Sequence, residues 1–140
     1  MSHPVRAARR RVQTDHADLV ATIDDCADAV AADWTGSRPT DGGAIADALA
    51  ETLERRGVLE TMPSVLADVV DATGHELEAN PVAGPPYVVV TSRGPLLRAT
   101  IDPGRLVVRF DAFEVVRDSG SAATAAYRRR DGVRVTVSLE

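Results

Sequence analysis

Lysine is absent from this 140-residue chain, and all sixteen basic residues are arginine. Cysteine occurs once, at Cys26, which excludes an internal disulfide and any metal site built from several thiolates. Aromatic side chains make up 4% of the residues, so a nucleic-acid surface built on base stacking has little to draw on. Long apolar runs are missing too: Tyr87–Val88–Val89–Val90 stops at four residues, against the ~20 that a membrane helix needs. The N-terminus lacks the apolar stretch of a secretory signal. Together these absences predict a cytoplasmic protein with no membrane role.

What is present fits one globular domain over residues 1–140. A content of 44% hydrophobic and 26% charged residues is enough for a real core. Of the twenty-one acids, fourteen are aspartate, and the formal net charge is −5. Charge is unevenly spread: residues 1–11 carry +4, residues 12–80 carry −12 and residues 81–140 carry +3. An acidic middle between basic ends favours complementarity within or between chains before it favours nucleic acid.

Hydrophobic periodicity divides the chain into a helical half, 4–80, and a β-meander, 87–139, joined by a stiff proline-rich connector at 81–86. Val5, Ala8, Val12, Leu19, Ile23, Cys26, Val30 and Trp34 predict a single helix over 5–34, ended by Gly36 and Pro39. Such a helix is about 45 Å long at ~1.5 Å per residue, more than a small domain covers, so its seam is expected to meet another chain. A second helix is predicted over 43–56, capped by Thr40 or Asp41 and stopped by Gly57. A third starts near Pro63 and ends before Asn80–Pro81. From Tyr87 the period becomes two, predicting strands at 87–92, 96–101, 105–116, 123–129 and 133–139. A bulge near Asp111 or Ala112 is needed to keep Phe110 and Phe113 on one face. The expected fold is α+β: three N-terminal helices packed on one face of a C-terminal five-stranded antiparallel sheet. The expected core includes Leu19, Ile23, Leu49, Leu53, Leu66, Val69, Val89, Ile101, Val108, Phe110, Val135 and Val137.

The lysine-free, aspartate-rich chain has Gly84–Pro85–Pro86–Tyr87–Val88–Val89–Val90–Thr91–Ser92–Arg93–Gly94–Pro95 leading into Ile101–Asp102–Pro103–Gly104–Arg105. In this it resembles small uncharacterised proteins of halophilic archaea. The resemblance brings no named activity, and no functional residue is carried over from it.

Catalytic chemistry finds little support. His3, His16 and His75 have no partner at metal-ligand spacing, and no nucleophile elbow, phosphate-binding loop or dinucleotide fingerprint occurs. Cys26 sits on the apolar seam, where a small hydrophobe is the simpler account, and Asp24, Asp25 and Asp28 would discourage a thiolate. Asp68 and Asp71, at i and i+3, are expected to be solvated charges on a helix face. No enzyme, cofactor or metal is therefore expected.

The arginines of the sheet say more. A three-residue loop at Arg130–Asp131–Gly132 would place Arg128 opposite Arg134, and a turn at Pro103–Gly104 would place Arg98 opposite Arg109. Like charges face to face are unfavourable, so this face is expected either to be screened by Asp111, Glu114 and Glu140 or to meet something anionic. Arg98, Arg109, Arg128 and Arg134 are thus the candidate partner-binding residues. Arg6, Arg9, Arg10 and Arg11 form a secondary basic cluster that opposes the helix dipole. The favoured function is a non-enzymatic protein–protein interaction module, homo-oligomeric or with another protein as partner. The alternative is anion or nucleic-acid binding through the same arginines.

Overall fold

A computed structural model describes residues 3–35, 38–102, 104–117 and 125–140. The elements run α1 (Pro4–Asp15), α2 (Ala17–Ala32), α3 (Gly42–Arg55), α4 (Val58–Ala72), β1 (Val88–Val90), β2 (Pro95–Ile101), β3 (Gly104–Arg117) and β4 (Ala125–Leu139). The strands form one antiparallel sheet in the order β1-β2-β3-β4. The fold is α+β, with four helices and four strands among the described residues rather than three and five.

The first difference lies at His16. The predicted helix over 5–34 is two helices, broken where His16 takes φ −119° and ψ 29°. Its N–H still donates to Val12 O (3.1 Å), and its own carbonyl accepts from Val20 N (3.2 Å). The break lets both halves of the seam reach one core, where Ala8, Val12, Ile23, Cys26 and Ala27 are all fully buried. The overlong seam therefore gives no reason to invoke a second chain. Gly36, expected to end this segment, lies outside the described residues; α2 stops earlier, at Ala32.

Asp41 caps α3 as expected, its Oδ1 accepting from Ala44 N at 3.1 Å, and Gly57 ends the segment at φ +73°. The next helix begins at Val58, five residues before the expected start, and carries Pro63 inside it. Pro63 forfeits a backbone bond there. Burial of Val58 and Met62, 3% and 0% exposed, draws the preceding turn into the core and offsets that loss. The helix ends at Ala72, well before Asn80.

In the sheet, the expected fourth and fifth strands are one strand, β4. Opposite Asp111 stands Arg134 and opposite Phe113 stands Arg129, so residues 130–133 bow out against Ala112 alone. Arg130–Asp131–Gly132 is a bulge rather than a hairpin loop, with Gly132 at φ +94°. The expected bulge near Ala112 is thus present, and it absorbs the turn signal on the neighbouring strand. Residues 123 and 124 of the expected fourth strand lie outside the described residues, as does Pro103.

One cluster of buried side chains joins helix residues such as Ile23, Leu53 and Leu66 to Leu97, Val108 and Phe110 of the sheet. Of the expected core, Leu19, Val89 and Val135 are half-buried and the others buried. The β1–β2 turn completes the β3 bulge, because the Arg93 carbonyl accepts from both Ala112 N (2.7 Å) and Phe113 N (3.0 Å).

Candidate functional site

Directly opposed residues in antiparallel strands share a face, and the faces alternate along each strand. Leu97, Ala99, Ile101, Leu106, Val108 and Phe110 are buried in the core. Leu96, Arg98, Thr100, Arg105, Val107, Arg109 and Asp111 therefore occupy the other face. Across β4 they are joined there by Arg134, Thr136 and Ser138.

The opposed arginine pairs do not form. Arg98 faces Val107 and Arg109 lies between Leu96 and Thr136, because the β2–β3 register is shifted by two residues from the expected one. Gly104 causes the shift: it belongs to β3, paired with Ile101, where a Cβ would fall 2.4 Å from Glu140 O. The glycine serves a close backbone approach instead of a turn. Arg128 faces Glu114 and Arg134 faces Asp111, since β4 runs on through the bulge.

Glu114 is held by two guanidinium groups, hydrogen-bonded to Arg128 Nε and 2.9 Å from Arg130 Nη1. The Arg128 hydrogen bond, with the charges of Arg128 and Arg130 behind it, keeps the Glu114 carboxyl below its ordinary range against an opposing effect of desolvation. Arg128 is thus matched within the chain. Arg98, Arg109 and Arg134 have no carboxylate oxygen within 4.0 Å among the described residues, and neither does Arg105, a fourth arginine on this face. Arg105 was legible as the first member of the alternation Arg105–Val107–Arg109, but a search for opposed like charges passes over it. Val107 is only 3% exposed although it points away from the core. Its neighbours on that face are Arg98 and Ser138 across the strands and Arg105 and Arg109 along its own. Arginine stems laid over a valine leave their charged heads at the surface. The Arg98 head is further fixed, its Nε donating to Pro86 O at 3.2 Å.

The secondary cluster is divided. Arg6, Arg9 and Arg10 are exposed, whereas Arg11 turns inward to Asp15 (3.3 Å) and Asp68 (2.6 Å). The other oxygen of Asp68 meets His16 Nε2 at 2.7 Å. This His–Asp contact ties the α1–α2 break to α4. Among the described residues no hydroxyl or thiol is hydrogen-bonded to His16, so no nucleophile completes a catalytic set there. No group of three or more His, Cys, Asp or Glu able to hold a metal occurs among the described residues. Asp68 is therefore a clamp, not the solvated charge expected, and Asp71 is exposed.

Sequence reasoning also missed Arg129. Its Nη2 reaches Asp24 Oδ1 at 2.6 Å, its Nε reaches Asp28 Oδ1 at 3.1 Å, and its Nη1 donates to the carbonyls of Ala112 and Arg130. Asp24 Oδ1 also accepts from Val133 N at 2.9 Å, so one carboxylate holds both ends of the β4 bulge. The run Arg128–Arg129–Arg130 reads as a patch, but only its outer members serve the exposed face.

Cys26 is buried, and desolvation pushes its thiol pKa up, Arg56 opposing and Asp25 assisting. The thiol is therefore neutral near pH 7, and iodoacetamide is expected to leave it unmodified in the folded protein and to alkylate it once urea unfolds the chain. Mass spectrometry reads both states; full labelling without urea would show that the α2 seam opens.

A family model described as a domain of unknown function, DUF7988, matches residues 6–140. The chain belongs to this family. No curated protein and no solved structure matches it. In this DUF7988 member two shallow recesses flank the arginine face. One, of about 430 Å³, is lined by Leu77, Glu78, Tyr87, Arg98, Thr100 and Arg105 among others. The second, of about 410 Å³, lies beside the β1–β2 turn and contains Arg93, Arg109 and Asp111.

Proposed function

We propose that this protein is a single-domain, non-enzymatic interaction module that docks an acidic protein surface on its arginine face. The observation that carries this is the set Arg98, Arg105, Arg109 and Arg134, together on one sheet face with no carboxylate in contact among the described residues. Helices packed over one face of the sheet leave the other to a partner. Arg105 and Arg109 are four residues apart on one strand, about 13 Å at ~3.3 Å per residue, so they match acidic groups at i and i+4 of an extended segment.

A protein partner is favoured over nucleic acid because, among the described residues, the centre of the face offers no aromatic platform. The lysine-free, aspartate-rich composition also suits a cytoplasm of concentrated salt, as in the halophilic archaea that the sequence resembles. At 1 M salt the Debye length is about 3 Å, which weakens phosphate attraction at range but leaves bidentate arginine–carboxylate contacts. A second copy is a competent partner through charge, since residues 12–80 carry −12.

The test is fluorescence anisotropy with a labelled oligoglutamate peptide and a labelled single-stranded RNA across a salt series. Saturable peptide binding is expected, falling at least about tenfold in Arg98→Glu/Arg109→Glu/Arg134→Glu with the melting temperature preserved. RNA binding with a log–log salt slope near −3, as expected for about four phosphates on a single strand, and no peptide binding would assign the face to nucleic acid. Peptide binding that survives the triple reversal would place the interaction elsewhere.

A further inference from the structure

The two recesses on the arginine face carry the same formal charge, two arginines against one carboxylate, and differ in that only one of them is lined by an aromatic residue. The one beside the β1–β2 turn sets Arg93 and Arg109 against Asp111 and is lined otherwise by Thr91, Ser92, Gly94, Pro95 and Leu96. The other sets Arg98 and Arg105 against the single carboxylate of Glu78, so it is net positive. It also has apolar walls, Leu77 and Pro86, with the Tyr87 ring and the Thr100 side chain beside the arginines.

We propose that this recess binds a small organic phosphate monoester, with the phosphate on Arg98 and Arg105 and the organic body against Leu77, Pro86 and Tyr87. Three features point to that class. The arginines stand on adjacent strands, Arg98 facing Val107 and Arg105 facing Thr100, and both line the recess. One guanidinium fork already satisfies a carboxylate, whereas two forks in one recess match a tetrahedral dianion. Arg98 is preset, because its Nε is occupied by Pro86 O at 3.2 Å and its terminal nitrogens remain for the ligand. The volume of about 430 Å³ falls in the range of small-ligand sites. Glu78 gives the recess an acceptor for an N–H or O–H of the organic body, so a ligand bearing a donor away from its phosphate is favoured over a purely apolar ester.

This inference rests on the anion preference of the arginine face but fails separately from it, because Arg109 and Arg134 lie outside the recess. The experiment is a ¹H–¹⁵N titration of the full chain near neutral pH with phenyl phosphate, inorganic phosphate and phenol. Phenyl phosphate should give saturable shifts confined to 77–79, Tyr87, 98–100 and Arg105. It should bind about tenfold more tightly than inorganic phosphate, and phenol should not saturate. Arg105→Gln, at an exposed position, should weaken phenyl phosphate about tenfold while Arg109→Gln changes it less than about twofold. Shifts spread equally over Arg109 and Arg134, or equal affinity for inorganic phosphate, would overturn the recess as a site and leave only a charged surface. Oligoglutamate binding with no phenyl phosphate binding overturns the recess and keeps the docking face; absence of both overturns both.

Discussion

Gly94→Ala is expected to destabilise the fold by roughly 4 kcal/mol or more, beyond what most single substitutions cost. Gly94 sits at φ +153°, and a Cβ there would lie 1.8 Å from Phe110 O and 3.0 Å from the Phe110 carbonyl carbon. These are main-chain atoms of the central strand, and no rotamer change can clear them. The turn cannot easily lift either. Its Arg93 carbonyl supplies the acceptor for Ala112 N and Phe113 N, and Gly94 O accepts from Thr91 N (3.0 Å) and Thr91 Oγ1 (2.8 Å). Lifting would leave two strand donors without partners at the bulge, each costing about 1–3 kcal/mol. Urea denaturation checks this as a drop in midpoint at unchanged slope. Gly132→Ala is the control: at φ +94° with nothing within 4 Å of the added carbon, it should cost only the ~1–2 kcal/mol of a left-handed conformation. Trp34, the single tryptophan, lies 5.2 Å from the Phe113 ring centroid and reports locally on the same bulge. Equal losses in the two variants, with Trp34 emission unchanged, would mean that the turn makes room without disturbing β3.

The pattern of burial was easier to read than the partners. Period-two alternation identified Ile101, Val108 and Phe110 as core, and this survives a register error of two residues because side-chain faces repeat every two. The same error rearranged every cross-strand pair, so Arg98 opposite Arg109 became Arg98 opposite Val107. What fixes register here is Gly104 pressed against the Glu140 carbonyl, a contact between residues 36 positions apart that no local signal announces. Arg130–Asp131–Gly132 misled for a related reason. Its residues suit a turn, and Gly132 does take positive φ, but β3 is long enough to pair on both sides, so the excursion closes as a bulge. The break at His16 was hidden because an apolar seam at spacings of three and four describes two short helices as well as one long one. The arginine face was legible as a face; which of its members lack a carboxylate contact among the described residues became visible only once Glu114 had claimed Arg128 and Arg130.

The bulge that sorts those arginines is held from the helical side, and Arg129→Ala is expected to cost about 2–3 kcal/mol. Arg129 is 17% exposed and Asp24 30%, so the pair is shielded enough for the loss to be felt, while Asp28 at 69% is close to solvent. Truncation removes the donors to Asp24 and to the carbonyls of Ala112 and Arg130, and leaves Asp24 with Val133 N. A double-mutant cycle separates these contributions. Coupling between Arg129 and Asp24 should be about 1–2 kcal/mol, and between Arg129 and Asp28 below about 0.5 kcal/mol, as for exposed ion pairs. Because the close pair is largely shielded, its coupling should persist in 1 M salt, whereas that of the exposed Arg55–Glu51 pair should vanish. A cost below about 0.5 kcal/mol would show that apolar packing alone sets the bulge. The consequence reaches the binding face through strand alternation: as long as Arg129 points inward to α2, Arg128 and Arg130 point outward and take up Glu114. Release of Arg129 frees β4 to slip, and with it the matching that leaves Arg98, Arg105, Arg109 and Arg134 without a carboxylate contact among the described residues. Arg129→Ala should therefore weaken oligoglutamate binding although Arg129 itself touches no part of the exposed face, and Arg129→Lys, which keeps the charge but not the five-donor fork, should restore it only in part.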